Sequence, residues 1–176
     1  AKLLMDEYKL EGGLDIQLDK RIPVAAGMAG GSTDAASCML ALNDLYELGL
    51  SKRQLMKRGV RLGADIPYCI LKGTALSEGI GEKISTIPKM PDCYVLICKP
   101  GIHVSTGFVY TNLVLDENTP HPDIDYMIAC MKKKDLKTLC QNLGNVLETV
   151  TIPAHPEIAK IKETMMQEGA LGSLMS

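Results

Sequence analysis

Tryptophan is absent, Phe108 is the only phenylalanine and methionine occurs ten times, so the chain is expected to fill its cores with methionine. The six cysteines, at 38, 69, 93, 98, 130 and 140, form no CxxC pair, and only His103, His121 and His155 could join them. That spacing excludes a zinc site or a redox dithiol, and it points to reduced, buried thiols in a cytoplasmic protein. The histidines lack partners at ligand spacing and carry no chemistry. A net charge of −2 and a pI near 5.9 argue against a nucleic-acid partner. The one basic run, Lys132 to Lys134, reads as a solvated helix face. No apolar run approaches the roughly 18 residues a membrane helix needs, and "AKLLMDEYKLEGG" has no charged-then-apolar leader, so neither export nor membrane insertion is expected.

What is present is ordinary globular material, enough for one large domain or two small ones. Both ends read as cut. There is no initiator methionine, and "GALGSLMS" stops within an apolar stretch. In "LDIQLDKRIP" the alternation of Leu14, Ile16 and Leu18 predicts a half-buried strand ended by Pro23. A glycine-rich loop follows, then a helical pattern from Ala35 to Tyr46 with Gly49 as its stop. Ser51 and Gln54 predict a capping box opening a second helix. After the turn "GADIP", "YCILKGTALS" and "GIGEKISTI" predict two strands, and Pro88 with Pro91 predicts a domain boundary. Beyond it "CYVLICKP" predicts a buried strand, "FVYTNLVL" is either helical or extended, three helical patterns follow, and "ALGSLMS" predicts a returning strand. In the last helical pattern Pro156 takes a first helical position and Gly169 is the stop.

The loop "RIPVAAGMAGGSTDAA" carries the chemistry. Glycines before a helix N-terminus let an anion reach unpaired backbone N–H groups and the positive end of the helix dipole, which suits phosphate. Gly31-Ser32-Thr33 lacks the lysine of a P-loop, and glycines at 27, 30 and 31 miss the GxGxxG spacing. The Ser-Thr pair offers hydroxyls to phosphate oxygens or to Mg²⁺. The alternative is a capped helix after a flexible turn. Asp34 is expected to serve the helix dipole, and Asp65 by itself reads as a turn former.

Pro23 to Ala36 resembles the phosphate-binding motif of the GHMP small-molecule kinases, and "LGADIPYCI" at 62–70 and "GIGEKI" at 79–84 are similar to later segments of the same family. The resemblance runs from about Ile16 to the end, more loosely in the second half, as in "KPGIHVSTGFVY". It implies an α+β fold with two domains, each partial here: residues 1–88 like domain 2 of ribosomal protein S5, and residues 89–176 ferredoxin-like. It implies an ATP-dependent, Mg²⁺-assisted kinase whose acceptor is a cytidine diphosphate-linked methylerythritol. Other small-molecule acceptors such as homoserine, or a noncatalytic nucleotide-binding module, are the alternatives. Oligomeric state stays open.

On that resemblance Pro23, Ala25, Ala26, Gly27, Met28, Ala29, Gly30, Gly31, Ser32 and Thr33 wrap the ATP phosphates. Lys20 lies close to the nucleotide, Ser32 also serves the metal, and Asp65 is the general base. Thr106 and Tyr110 meet the substrate, Tyr110 by stacking on the pyrimidine or else serving as a core aromatic. The family also places a lysine beside the catalytic aspartate from an early segment, for which Lys2 and Lys9 lie too close to the strand leading into the loop to stand in, and a Gly-Ser-Gly loop that would follow "GALGSLMS". The resemblance thus implies that the 176 residues are part of a longer enzyme and lack two functional pieces.

Overall fold

In the computed structural model, which describes residues 1–22, 27–117 and 119–176, the chain divides into two compact units, Ala1–Ile87 and Pro88–Ser176. The first is built on four helices, α1 (Lys2–Tyr8), α2 (Gly30–Leu45), α3 (Lys52–Gly59) and α4 (Ile66–Leu71), followed by a hairpin of β1 (Ala75–Glu78) and β2 (Lys83–Thr86). Apolar residues at helical spacing on α2 point inward, and Ala36, Met39 and Leu42 join Leu4, Leu55, Ile66 and Ile70 in one core. Each leucine, isoleucine or methionine among them contributes about 1.5–3 kcal/mol when fully buried. Methionine supplies Met39 here and Met131 in the second unit, but aliphatic side chains fill most of the buried volume, so the expected methionine core is only partly realised.

The predicted capping box exists: the Ser51 hydroxyl accepts from the Gln54 N–H, while the Gln54 carboxamide accepts from the Ser51 N–H at 2.9 Å. Arg58, at the far end of α3, donates to the Glu7 carboxylate and at 2.8 Å to the Tyr8 hydroxyl, fastening α3 to α1. Helices α2 and α3 both pack on α4. The α3–α4 approach is close enough that a Cβ on Gly59 would stand 2.7 Å from Ile66 Cγ2.

Four strand expectations fail, one of them in part. Residues 14–18 form no ladder, leaving Ile16 and Leu18 each 59% exposed, and Tyr94 to Ile97 are likewise exposed. Alternation states which face of a segment would be buried, but a strand also needs a neighbour for its N–H and C=O groups. Among the described residues the only ladder is β1–β2, antiparallel with Ala75 opposite Thr86. Residues 68–71, read as the start of a strand, belong to α4 instead, with Pro67 in its first turn, where a missing N–H costs nothing.

The second unit contains α5 (Thr106–Asn112), α6 (Ile124–Lys133), α7 (Leu136–Gln141), α8 (Glu148–Ala154) and α9 (Pro156–Gln167). Ser105, Asp123 and Asp135 cap the first three through side-chain oxygens. The last residues do not return as a strand. Asn145 Nδ2 donates to the Met175 carbonyl and the Met175 N–H donates to Glu148, so side chains occupy the backbone groups a ladder would use. Cys93 and Cys98 are exposed, which corrects the expectation of uniformly buried thiols. No helix among the described residues is long and apolar enough to cross a membrane.

Candidate functional site

The chain enters α2 through two left-handed residues, Gly27 at φ +67° and Ala29 at φ +48°. Ala29 is the N-cap and has no side chain with which to cap, so the first-turn N–H groups of this 16-residue helix are left to an outside acceptor. A Cβ on Gly31 would meet nothing within 4 Å, so the helix start is open on that side. Gly30 is glycine for a different reason. A Cβ there would lie 3.0 Å from Lys20 Nζ and 3.1 Å from Ile22 Cγ2, so it is the lysine segment that lies against the helix start.

Lys20 forms an ion pair with Asp34 across this glycine. The helix begins at Gly30, which places Asp34 beyond the first turn, and its carboxylate faces Lys20; the helix-dipole reading of Asp34 is therefore corrected. The half-buried Ser32 hydroxyl has no partner among the described residues. Thr33 turns its hydroxyl back to donate to the Ala29 carbonyl at 2.9 Å, and its oxygen lies 3.5 Å from Cys69 Sγ on α4. Met28 is half-buried and Gly27 exposed. Pro23, Ala25 and Ala26 lie outside the described residues.

Asp65 is the N-cap residue of α4 and is exposed, yet its side chain makes no capping bond. Asp65 does lie in the turn ahead of α4, as the turn-former reading expects, but its side chain takes no part in it. Its backbone carbonyl accepts from the Cys69 N–H at 3.1 Å, one helical turn on. The Thr33–Cys69 contact therefore joins the first turn of α2 to α4 at a residue that lies one helical turn past Asp65. Behind the acid, Gly81 of "GIGEKI" packs on its turn so tightly that a Cβ would stand 2.3 Å from the Ala64 carbonyl oxygen. Two of the three blocks singled out in the sequence are in contact here, through a glycine that could not carry a side chain.

Thr106 and Tyr110 lie one turn apart on α5 in the second unit, held by buried Val109 between them. Tyr110 is 62% exposed and is not a core residue. Among the described residues no three or more His, Cys, Asp or Glu side chains gather as a metal site. Sequence reasoning missed the Lys20–Asp34 pair, the Cys69 contact and the Gly81 packing, none of which has a short-range signal.

Comparison with known proteins gives matches that extend along the whole chain. The GHMP kinases N terminal domain matches residues 1–73, and the GHMP kinases C terminal domain matches residues 127–176. The chain is 55% identical over 176 residues to a 4-diphosphocytidyl-2-C-methyl-D-erythritol kinase of Lachnoclostridium phytofermentans, covering 100% of this chain and 60% of that protein. It is 51% identical to the protein of the same name from Lachnospira eligens, covering 99% and 60%. A crystal structure of 4-(cytidine 5'-diphospho)-2C-methyl-D-erythritol kinase superposes with a TM-score of 0.73 at 26% identity, covering 98% of this chain and 64% of that one. The chain spans about 60% of the length of these curated relatives.

Proposed function

Since the chain belongs to the GHMP kinase family, with both its N- and C-terminal domains matched, we propose that it forms the nucleotide-binding and catalytic-base part of a cytoplasmic kinase. This kinase phosphorylates the 2-hydroxyl of 4-diphosphocytidyl-2-C-methyl-D-erythritol with ATP, in the non-mevalonate route to isoprenoids. The substrate is inferred from the names of the relatives. The observation that supports the catalytic reading is the contact of an uncapped, glycine-lined helix start, through Thr33, with α4 at Cys69, one turn past the exposed Asp65.

Phosphoryl transfer asks a protein mainly for positioning and charge neutralisation. In this reading residues 1–88 bind the nucleotide. The backbone from Pro23 through Thr33, including Ala25, Ala26 and Met28, wraps the phosphates; the N–H groups of Gly30, Gly31 and Ser32 donate to their oxygens. Lys20 adds a positive charge from the side. The Ser32 hydroxyl is an oxygen donor for Mg²⁺, which when bound neutralises phosphate charge. Asp65 accepts the proton of the acceptor hydroxyl as its oxygen attacks the γ-phosphorus. Residues 89–176 contribute to the acceptor side: Tyr110 offers an exposed ring face to the pyrimidine and Thr106 a hydroxyl one turn away.

Replacing Asp65 tests the assignment. Asp65→Asn keeps shape and removes the basic oxygen, so kcat should fall by at least about 10²-fold while ATP affinity stays within about twofold. ADP release coupled to acceptor phosphorylation reads the first and calorimetry the second. Near-normal turnover would remove Asp65 from the role of base.

A further inference from the structure

We infer that Asp34 is a positioning residue for Lys20, holding the lysine's ammonium at the mouth of the phosphate cradle. The inference rests on the reading of that loop as a nucleotide site.

The charges around the loop are sorted. Arg21 is engaged by Asp19, with Nε at 2.9 Å and Nη2 at 2.7 Å from the same carboxylate oxygen, leaving Asp34 to Lys20 alone. The Arg21 pair is open to solvent, with side chains 85% and 70% exposed, whereas Lys20 and Asp34 are 27% and 34% exposed. The lysine ammonium lies against Gly30 beside Ile22, with Nζ 3.0 Å from where a Cβ on Gly30 would be. The ammonium therefore sits at the first residue of α2, on the end that presents the helix N–H groups.

A lysine ammonium has three N–H donors. One goes to Asp34, and the other two have no partner among the described residues. An untethered lysine samples many rotamers and loses about 2 kcal/mol of rotamer entropy when a ligand fixes it. Asp34 has fixed it beforehand, from the α2 residue one turn past the glycines, so helix and cation reach the phosphates as one rigid piece. The opposing cost, a carboxylate's repulsion of phosphate, is screened at this partly exposed position and acts over a longer distance than the lysine's attraction.

The test is calorimetric titration with ATP, once with Mg²⁺ and once in chelator, for the unaltered protein, Lys20→Ala, Asp34→Ala, Asp34→Asn and the Lys20→Ala/Asp34→Ala double variant. Thermal melts accompany each variant. ATP binding should weaken about tenfold in Lys20→Ala and about fivefold in Asp34→Ala, with and without Mg²⁺ alike. The double variant should bind no more weakly than Lys20→Ala. Asp34→Asn keeps an acceptor oxygen and the side-chain volume, so it should fall between Asp34→Ala and the unaltered protein.

Unchanged affinity in folded Asp34→Ala and Asp34→Asn overturns the inference. So does an Asp34 effect that persists undiminished when Lys20 is already alanine, or one seen only with Mg²⁺, which would make Asp34 a metal ligand. An unaltered protein that fails to bind ATP overturns the cradle reading itself, and the two failures are thereby distinguished.

Discussion

Gly81 offers the sharpest test of how the site is held. Replacing it by alanine places a Cβ 2.3 Å from the Ala64 carbonyl oxygen and 3.0 Å from its carbonyl carbon, and both belong to backbone that cannot rotate away. Gly81 also has φ +102°, which side-chain-bearing residues avoid at a cost of about 1–2 kcal/mol. Relieving the contact adds about 1–3 kcal/mol of overpacking. The gain from a stiffer unfolded chain, about 0.4–1 kcal/mol, is too small to offset these. The net loss is about 1–5 kcal/mol, and for a unit of this size each kcal/mol lowers Tm by about 4–8 °C. The Ala64 turn leads directly into Asp65, so the relaxation should displace the acid and lower kcat more than ATP affinity. Circular dichroism melts, turnover and ATP calorimetry measure the three quantities. Gly31→Ala is the matched control: its Cβ meets nothing and its backbone is helical, so Tm should hold or rise while ATP binding weakens. A Gly81→Ala protein that melts within about 3 °C of the unaltered one would refute the packing argument.

Two further outcomes follow from side chains that occupy backbone groups. Hydrogen bonds from its own N–H and from the Ile80 N–H hold the Glu82 carboxyl below the usual carboxylate range, the first being the larger cause. A carboxyl lowered by folding stabilises the hairpin above its unfolded pKa and loses that contribution as pH falls through the folded value. An NMR titration should place Glu82 below the other glutamates, and Glu82→Gln should flatten the acid limb of hairpin stability; an ordinary Glu82 titration would contradict this. Glu148 accepts from Lys162 and from the Met175 N–H with side chains only 17% and 24% exposed for the acid and the lysine. Glu148→Ala should therefore destabilise the second unit by about 1–3 kcal/mol in denaturant titrations, and a loss under about 0.5 kcal/mol would show the network to be incidental.

Much of the site was legible in the residues because its signals are local. The passage from a glycine loop into a helix, the Ser51–Gln54 box, and the acid at the head of "DIPYC" each depend on a few neighbouring positions. The same locality explains the errors. Asp34 looked like a dipole residue only while the helix start was misplaced, and α4 looked like a strand because a short apolar run does not distinguish the two.

The amino-acid sequence by itself determined which segments turn, cap and coil, and through its three motif blocks which family the chain joins. Only the tertiary structure decided that Lys20 pairs with Asp34 fourteen positions on, that Thr33 meets Cys69 thirty-six positions on, and that Gly81 closes on Ala64. It also decided that the alternating segment at 14–18 stays unpaired. Backbone propensities act over a turn or two of chain, whereas an ion pair, a clash or a strand partner depends on which distant residues packing brings within a few ångströms.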